Sequence, residues 1–151
     1  VKNIFDGKTA FFPRRFISLG KITAEEESYI PMMDSSGIAV HSSKEASFKT
    51  SLNEFIERQA LLATWLSQLK VPQLDSNLLN ELPDCKRFCE VLMQNGTLSI
   101  FNIGGMLPGN TVAICYFSNS KQDRVQYAIG MASSQSYKEA LASAIREVWQ
   151  D

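Results

Sequence analysis

Residues 44–69 read KEASFKTSLNEFIERQALLATWLSQL, a stretch that contains neither glycine nor proline. Its apolar side chains recur at steps of three, four and seven, which is the spacing of one face of an α-helix. Ser42 and Glu45 have the spacing of a capping box, and Pro72 favours an end to the helix before it. The sequence therefore predicts one long helix with a core-facing apolar stripe: Phe48, Leu52, Phe55, Leu62, Leu66 and Leu69.

Strands are predicted on both sides of this helix. Residues 97–103, 111–118 and 124–131 are rich in β-branched and aromatic side chains, and turn-forming residues separate them. That arrangement is typical of successive antiparallel strands. Shorter apolar runs at residues 16–22 and 28–32 indicate two further strands nearer the N-terminus.

Shorter helices complete the pattern. Residues 74–82 favour a short helix that Pro83 ends, and Asp84 is predicted to cap the next helix, which runs to Met93. A last helix begins at Ser136, and Glu139 lies three residues later, as in a second capping box.

The order of these elements predicts an α+β fold, with a mixed or antiparallel β-sheet packed against long helices. We see no internal linker and expect residues 1–151 to form a single domain. The chain begins at Val1 rather than at a methionine and ends one residue past a helical pattern. We therefore expect it to be a fragment of a larger domain.

Composition excludes several classes of protein. Fifteen basic and sixteen acidic residues give a net charge of −1, which argues against a nucleic-acid partner held by a basic surface. No apolar run reaches the roughly 18 residues of a membrane span, and the first residues given do not have the pattern of a signal peptide. Cys85, Cys89 and Cys115 form no C-x-x-C pair, which favours reduced, buried thiols. These features predict a cytoplasmic protein without a membrane or nucleic-acid partner.

The long helix carries a charged face. Glu54, Glu57 and Arg58 are three and four residues apart, so they share one side of the helix. Two carboxylates on consecutive turns suit Mg²⁺, which takes hard oxygen ligands, and an arginine suits a phosphate oxygen. An ordinary Glu54–Arg58 pair on a solvated face explains the same spacing and remains an open alternative.

The last helix has a similar face beside its apolar stripe. Small side chains there precede a glutamate and a glutamine, which leaves room for a ligand against the helix. A close contact between helix and sheet is the alternative explanation. The residues of this face are Ala140, Ser143, Glu147 and Gln150.

Four motifs together resemble the YcaO family, in the family's order. Residues 34–39 (DSSGIA) resemble D-S-N-G-[LI]-A, and residues 54–58 (EFIER) resemble E-x-x-E-R. Residues 130–132 (GMA) follow, and residues 140–150 resemble A-L-x-E-x-x-Q. The stretches FIERQALLATWL (residues 55–66) and EVWQ (residues 147–150) are most similar to the YcaO component of microcin-type azole synthetases. The resemblance covers about residues 31–69 and 97–151.

The resemblance implies a YcaO-like fold and a site for Mg²⁺ and ATP built from glutamates on neighbouring helices. By residue-for-residue transfer, the metal ligands would be Glu54, Glu57 and Glu147. Arg58 would contact phosphate and Gln150 would stand close to the nucleotide. Ser42 matches a position where the family often has asparagine, so the resemblance includes it among the nucleotide-binding residues.

The resemblance also implies an activity in bacteriocin biosynthesis. A serine, threonine or cysteine side chain of a ribosomally made peptide attacks the preceding amide carbon. Transfer of phosphate from ATP to the oxyanion, followed by its loss, leaves an oxazoline or thiazoline. The implied partners are the precursor peptide, a protein that binds its leader and a flavin dehydrogenase. Backbone thioamidation, a non-catalytic YcaO-derived scaffold and an unrelated α+β binding module stay open as alternatives.

The chain departs from the family pattern in three ways, and the first two favour the scaffold. The family usually has an acid eight residues before the first glutamate of E-x-x-E-R, and this chain has Ala46 there. The family tends to have an arginine four residues before the glutamate of the last helix, and this chain has Ser143. Nothing before residue 30 resembles the family's upstream E-x-x-E-R-like helix.

Overall fold

The computed structural model describes residues 6–9, 11, 36–105 and 107–150. The chain divides into two compact units, Val1–Ser36 and Gly37–Asp151, and nearly all described residues belong to the second. The strands expected at residues 16–22 and 28–32 lie outside the described residues, as does the start of the DSSGIA segment. One domain over the whole chain therefore stays a prediction.

The second unit contains a four-stranded antiparallel sheet. Its strands are β1 (Gln73–Leu74), β2 (Gly96–Asn102), β3 (Asn110–Ser118) and β4 (Tyr127–Ser134), in the order β1-β2-β3-β4. The three strands expected here are confirmed as β2, β3 and β4, with ends that differ by at most three residues. The α+β fold with an antiparallel sheet and long helices is confirmed.

Three α-helices flank the sheet: α1 (Lys44–Ser67), α2 (Lys86–Asn95) and α3 (Tyr137–Gln150). The segment expected as one short helix at residues 74–82 instead divides between β1 and a 3₁₀ helix, Ser76–Glu81. That prediction was wrong in detail because Leu74 pairs with Ile100 of β2, and Asp75 then caps the tighter helix. None of the helices in the described part of the chain is long and apolar enough to cross a membrane.

Two predicted caps were wrong. The side chain of Ser43, not Ser42, caps α1, because its Oγ accepts a hydrogen bond from the backbone N–H of Ala46 at 3.1 Å. This one-residue shift removes Glu45 from capping-box spacing. Asp84 lies inside a short 3₁₀ turn, Pro83–Cys85, so Cys85 occupies the N-cap of α2 without a side-chain bond.

One face of the sheet packs against α2 and α3. Alternate strand residues point to this side, and the core they form with α3 is closed to solvent around Ile100, Ile114 and Ile145. Gly130 sets the spacing between β4 and α3. A Cβ atom there would clash with the carbonyl oxygen of Ala144 and lie 2.7 Å from the backbone nitrogen of Val148. The backbones of β4 and α3 are therefore in direct contact.

The other face of the sheet packs against α1. Ala60, which is 1% exposed, lies with Ile103 and Ala113 in a second, smaller core. The apolar stripe predicted to face the core is instead exposed. Its six side chains keep 42% to 76% of their surface in solvent. The prediction was wrong because Ile56 and Ala60 make the sheet contact from another side of α1, which turns by about 100° per residue.

Candidate functional site

A cavity of about 810 Å³ lies where α1, α3 and β4 meet. Helices α1 and α3 pack on opposite faces of the sheet, and β4 is the edge strand between them within the described part of the chain. Residues Met131–Ser134 of β4 line the cavity together with side chains from both helices. The edge of the sheet thus brings two distant helices to one cavity.

Glu147 is held at this edge by the backbone of β4. Its Oε2 accepts a hydrogen bond of 2.6 Å from the backbone N–H of Met131. An edge strand leaves alternate N–H groups without a partner strand, and the carboxylate satisfies one of them. The direct contact of α3 with Gly130, one residue earlier, brings Glu147 within reach. The carboxylate therefore has a fixed position in the wall of the cavity.

Glu57 faces the same cavity from α1, with only 12% of its side chain exposed. Burial raises the pKa of Glu57 from 4.5 to about 7, and the neighbouring Glu147 carboxylate adds to the rise. Arg58 lowers this pKa and Glu54 raises it by smaller amounts. Carboxylates from two helices thus stand close enough to repel one another.

Arg58 only partly balances this negative charge. Its Nε lies 3.9 Å from Glu57 Oε1, which is longer than a hydrogen bond. The same Nε is buried and has no hydrogen-bond partner among the described residues. A buried donor without an acceptor is costly, so this group is suited to bond an incoming oxygen atom.

The donor set fits a hard divalent cation. Glu54, Glu57 and Glu147 all line the cavity and offer carboxylate oxygens, the ligands that Mg²⁺ prefers. The described residues include no group of three His, Cys, Asp or Glu side chains already close enough to hold a metal ion. Mg²⁺ usually takes one or two carboxylates and fills its remaining positions with water and phosphate oxygens. The residues therefore fit such an ion without forming a complete cage.

The structure brings five of the six predicted site residues to one cavity, since Gln150 also lines it, one turn beyond Glu147. Ser42 does not. It is exposed and lines a separate depression that includes Gly37 and Ser51. Its backbone N–H donates to His41 Nδ1 at 2.9 Å. Ser42 therefore contributes no side chain to the cavity wall.

Sequence reasoning missed several residues of the cavity. Lys49 and Arg146 line it, and each lies one helical turn after a position already noted, Ala46 and Ser143. That spacing could have found both cations. Glu139 also lines the cavity, and its Oε2 accepts a 2.6 Å hydrogen bond from Ser134 Oγ. This bond replaces the reciprocal half of the capping box expected for α3.

The cysteines are not part of the cavity. Cys85 and Cys89 are buried free thiols, as predicted. Burial raises the pKa of Cys89 to about 11, which keeps the thiol protonated and unreactive. Cys115 is half-buried, and burial raises its pKa as well.

Comparison with known sequences relates this chain to one family. A family model described as YcaO cyclodehydratase, ATP- and Mg²⁺-binding, matches residues 1–151. The chain is 29% identical over 150 residues to the microcin B17-processing protein McbD of Escherichia coli. That match covers 98% of this chain and 38% of McbD, so the chain spans little more than a third of this curated relative.

Comparison with solved structures leads to the same family. The E. coli microcin synthetase McbBCD complex with pro-MccB17 bound matches with a TM-score of 0.89 and 30% identity, over 99% of this chain and 38% of that one. A heterocyclase in complex with substrate and cofactor matches with a TM-score of 0.83, over 99% of this chain and 20% of that one. At 17% identity the second match shows the fold alone. The resemblance to the YcaO component of microcin-type synthetases is confirmed, and the chain belongs to the YcaO family.

Proposed function

We propose that this chain carries part of the active site of an ATP-dependent cyclodehydratase that forms azoline rings in a ribosomally synthesised peptide. The observation that carries the proposal is the convergence of Glu57 from α1 and Glu147 from α3 on one cavity at the edge of β4. Two carboxylates held this close favour a cation between them. The family's description as a cyclodehydratase supports the same reaction.

Six residues of the cavity have proposed roles. Glu54, Glu57 and Glu147 hold Mg²⁺, which neutralises the negative charge of the phosphates when it is bound. Arg58 contacts a phosphate oxygen through its unpartnered Nε. Gln150 lies close to the nucleotide. The backbone bond from Met131 keeps Glu147 oriented while ligands enter and leave.

The proposed reaction is balanced without a further reactant. The side-chain oxygen or sulfur of serine, threonine or cysteine forms a bond to the carbon of the preceding amide. That carbon loses its oxygen, which departs as inorganic phosphate while ATP becomes ADP. The net change in the peptide is the loss of one water per ring. The task of this chain is to hold the phosphates beside the peptide and to exclude water from the transfer.

The proposed partners follow from the relatives. McbD belongs to a synthetase complex, McbBCD, that has been solved with the peptide pro-MccB17 bound. By analogy we propose a precursor peptide as the substrate, and companion proteins that include a leader-binding subunit and a flavin dehydrogenase. The buried free thiols support a reducing compartment such as the cytoplasm.

A non-catalytic scaffold is the second candidate, and one observation favours it. Ala46 and Ser143, two of the three departures from the family pattern, both line the cavity. An acid and an arginine are thus missing from the wall itself rather than from a remote surface. A scaffold of this kind would bind the peptide or a companion protein without consuming ATP.

Peptide-dependent release of phosphate separates the two candidates. The complete protein, expressed from its natural gene with its companion proteins, is mixed with precursor peptide, Mg²⁺ and ATP. We expect phosphate to be released in step with the loss of water from the peptide, measured by mass spectrometry. Glu57→Gln is expected to abolish both signals, and Glu81→Gln, an exposed glutamate outside the cavity, to leave them unchanged. Full ring formation by Glu57→Gln would contradict the enzyme proposal.

A further inference from the structure

Two cations in the wall of the cavity have no role in the function proposed so far. Lys49 lies on α1 and Arg146 on α3, so they approach the cavity from different helices. Both residues are exposed. Within the part of the chain that the structure describes, neither forms a hydrogen bond or an ion pair. Their charges are therefore available to a ligand.

Three of the four carboxylates that line the same cavity have another partner, and the fourth, Glu54, forms no ion pair with either cation among the described residues. Glu147 accepts from the backbone N–H of Met131, and Glu139 accepts from Ser134 Oγ. Glu57 has Arg58 as its nearest cation. Lys49 and Arg146 are thus not held against the glutamates, and a bound anion is the ligand that their charges suit.

The neighbours of the two cations leave them room. Ala46 lies one turn before Lys49, and Ser143 lies one turn before Arg146, and both small side chains line the cavity. Lys49 precedes Glu57 by eight residues, which is about 12 Å along the axis of α1. Arg146 also lines an adjoining cavity of about 310 Å³, so it lies at the boundary between the two cavities. The positive groups therefore extend beyond the acidic cluster.

We propose that Lys49 and Arg146 form a phosphate-binding pair that holds a polyphosphate chain across the cavity. The arginine fork can donate two hydrogen bonds to one phosphate, and the lysine acts as a mobile point charge on another. The two positive charges are the reason for proposing a polyphosphate ligand. Its identification as the phosphates of ATP rests on the proposed function. The family tends to have an arginine at the position of Ser143. If the ligand is ATP, Arg146 supplies positive charge one helical turn away from that position.

The test measures ligand affinity in the complete protein by calorimetry with two probes, Mg²⁺–ATP and inorganic tripolyphosphate with Mg²⁺. Lys49→Gln and Arg146→Gln are each expected to lower the affinity for both probes by about tenfold or more, because each substitution removes a charged hydrogen bond to the ligand. Arg146→Lys is expected to recover part of the loss, and adenosine binding is expected to stay unchanged. Lys70→Gln and Arg87→Gln are matched controls on exposed positions that line none of the cavities described here.

The two proposals fail in different ways. If the parent binds both probes and the Lys49 and Arg146 variants stay within twofold of it, the phosphate-binding pair is wrong and the proposed function stands. If the parent binds tripolyphosphate but not ATP, and the variants lose it, the pair stands and the proposed function is wrong. A parent that binds neither probe overturns both. Thermal unfolding of each variant shows that the exposed substitutions leave the fold intact.

Discussion

At the scale of single residues, Glu57 dominates the chemistry of the cavity. Its carboxylate is nearly closed to solvent and stands near a second carboxylate, Glu147, which comes from a different helix. Spacing along α1 predicted its place on a charged face with Glu54 and Arg58. Spacing could not predict the contact with Glu147, because ninety residues and the whole sheet separate the two glutamates in sequence.

The raised pKa of Glu57 predicts a dependence of stability on pH. Because the pKa rises from 4.5 to about 7 on folding, the folded protein binds more protons than the unfolded chain between these values. The free energy of unfolding should therefore fall as pH rises from about 5 to about 7.5, by an amount on the order of 2 kcal/mol after solvent screening. Thermal unfolding in a chelating buffer measures this slope.

Two comparisons sharpen the pH prediction. Glu57→Gln should remove most of the slope, because the amide does not titrate, whereas Glu81→Gln should keep it. Mg²⁺ should stabilise the parent more at pH 8 than at pH 5, since it favours the ionised carboxylate. A parent whose unfolding temperature is flat across this range would show that Glu57 is not buried beside Glu147.

At the scale of elements, the contact between β4 and α3 positions the site. Gly130 carries no side chain, and this allows the backbone of α3 to touch the strand and Glu147 to reach the N–H of Met131. The sequence showed Gly130 only as part of a GMA motif inside a predicted strand. A glycine inside a strand indicates a close approach, but it does not identify the element that approaches.

Gly130→Ala should therefore damage the site from a distance. Its Cβ would enter the space of the Ala144 carbonyl oxygen, so α3 must move away from the strand. We expect a loss of about 1–3 kcal/mol in the free energy of unfolding and a weaker affinity for Mg²⁺–ATP. Ile129→Ala, at an exposed position next to it, should change the affinity little. An unchanged affinity in Gly130→Ala would show that the contact does not position Glu147.

The packing of α1 shows where sequence periodicity stops being informative. The period identified an amphipathic helix and its length correctly, because backbone hydrogen bonding and side-chain spacing are local. It assigned the wrong face to the core. The sheet accepts Ala60 because a small side chain permits a close approach, and such a residue adds little to an apolar pattern.

A pair of substitutions tests this corrected packing of α1. Leu66→Ala removes a large apolar side chain that is 76% exposed, and it should change the free energy of unfolding by less than about 0.5 kcal/mol. Ile56→Ala removes one that is 8% exposed, and it should cost about 2–5 kcal/mol. Denaturant unfolding measures both. A larger loss of stability in Leu66→Ala than in Ile56→Ala would show that the stripe predicted from the sequence does face the core.

At the scale of the whole molecule, the sheet lies between α1 and α3, and both helices contribute side chains to the cavity beside β4. Helix α1 covers one face and α3 the other, and their charged sides meet at β4, which is the last strand of the sheet among the described residues. Family motifs predicted six residues for the site, and five of the six line the cavity. The sixth, Ser42, was placed by its position in the motif alone, and the cap at Ser43 directs the chain elsewhere.

We expect the cavity between α1, β4 and α3 to bind Mg²⁺–ATP, and the shift in melting temperature on adding this ligand measures the binding. Ligand at a hundredfold excess over its Kd stabilises the folded state by about 2.7 kcal/mol, which raises the melting temperature by a few degrees. The complete protein and its Glu81→Gln variant should both show this rise, and Glu57→Gln should not. An equal rise in Glu57→Gln, or no rise in the parent, would contradict the account.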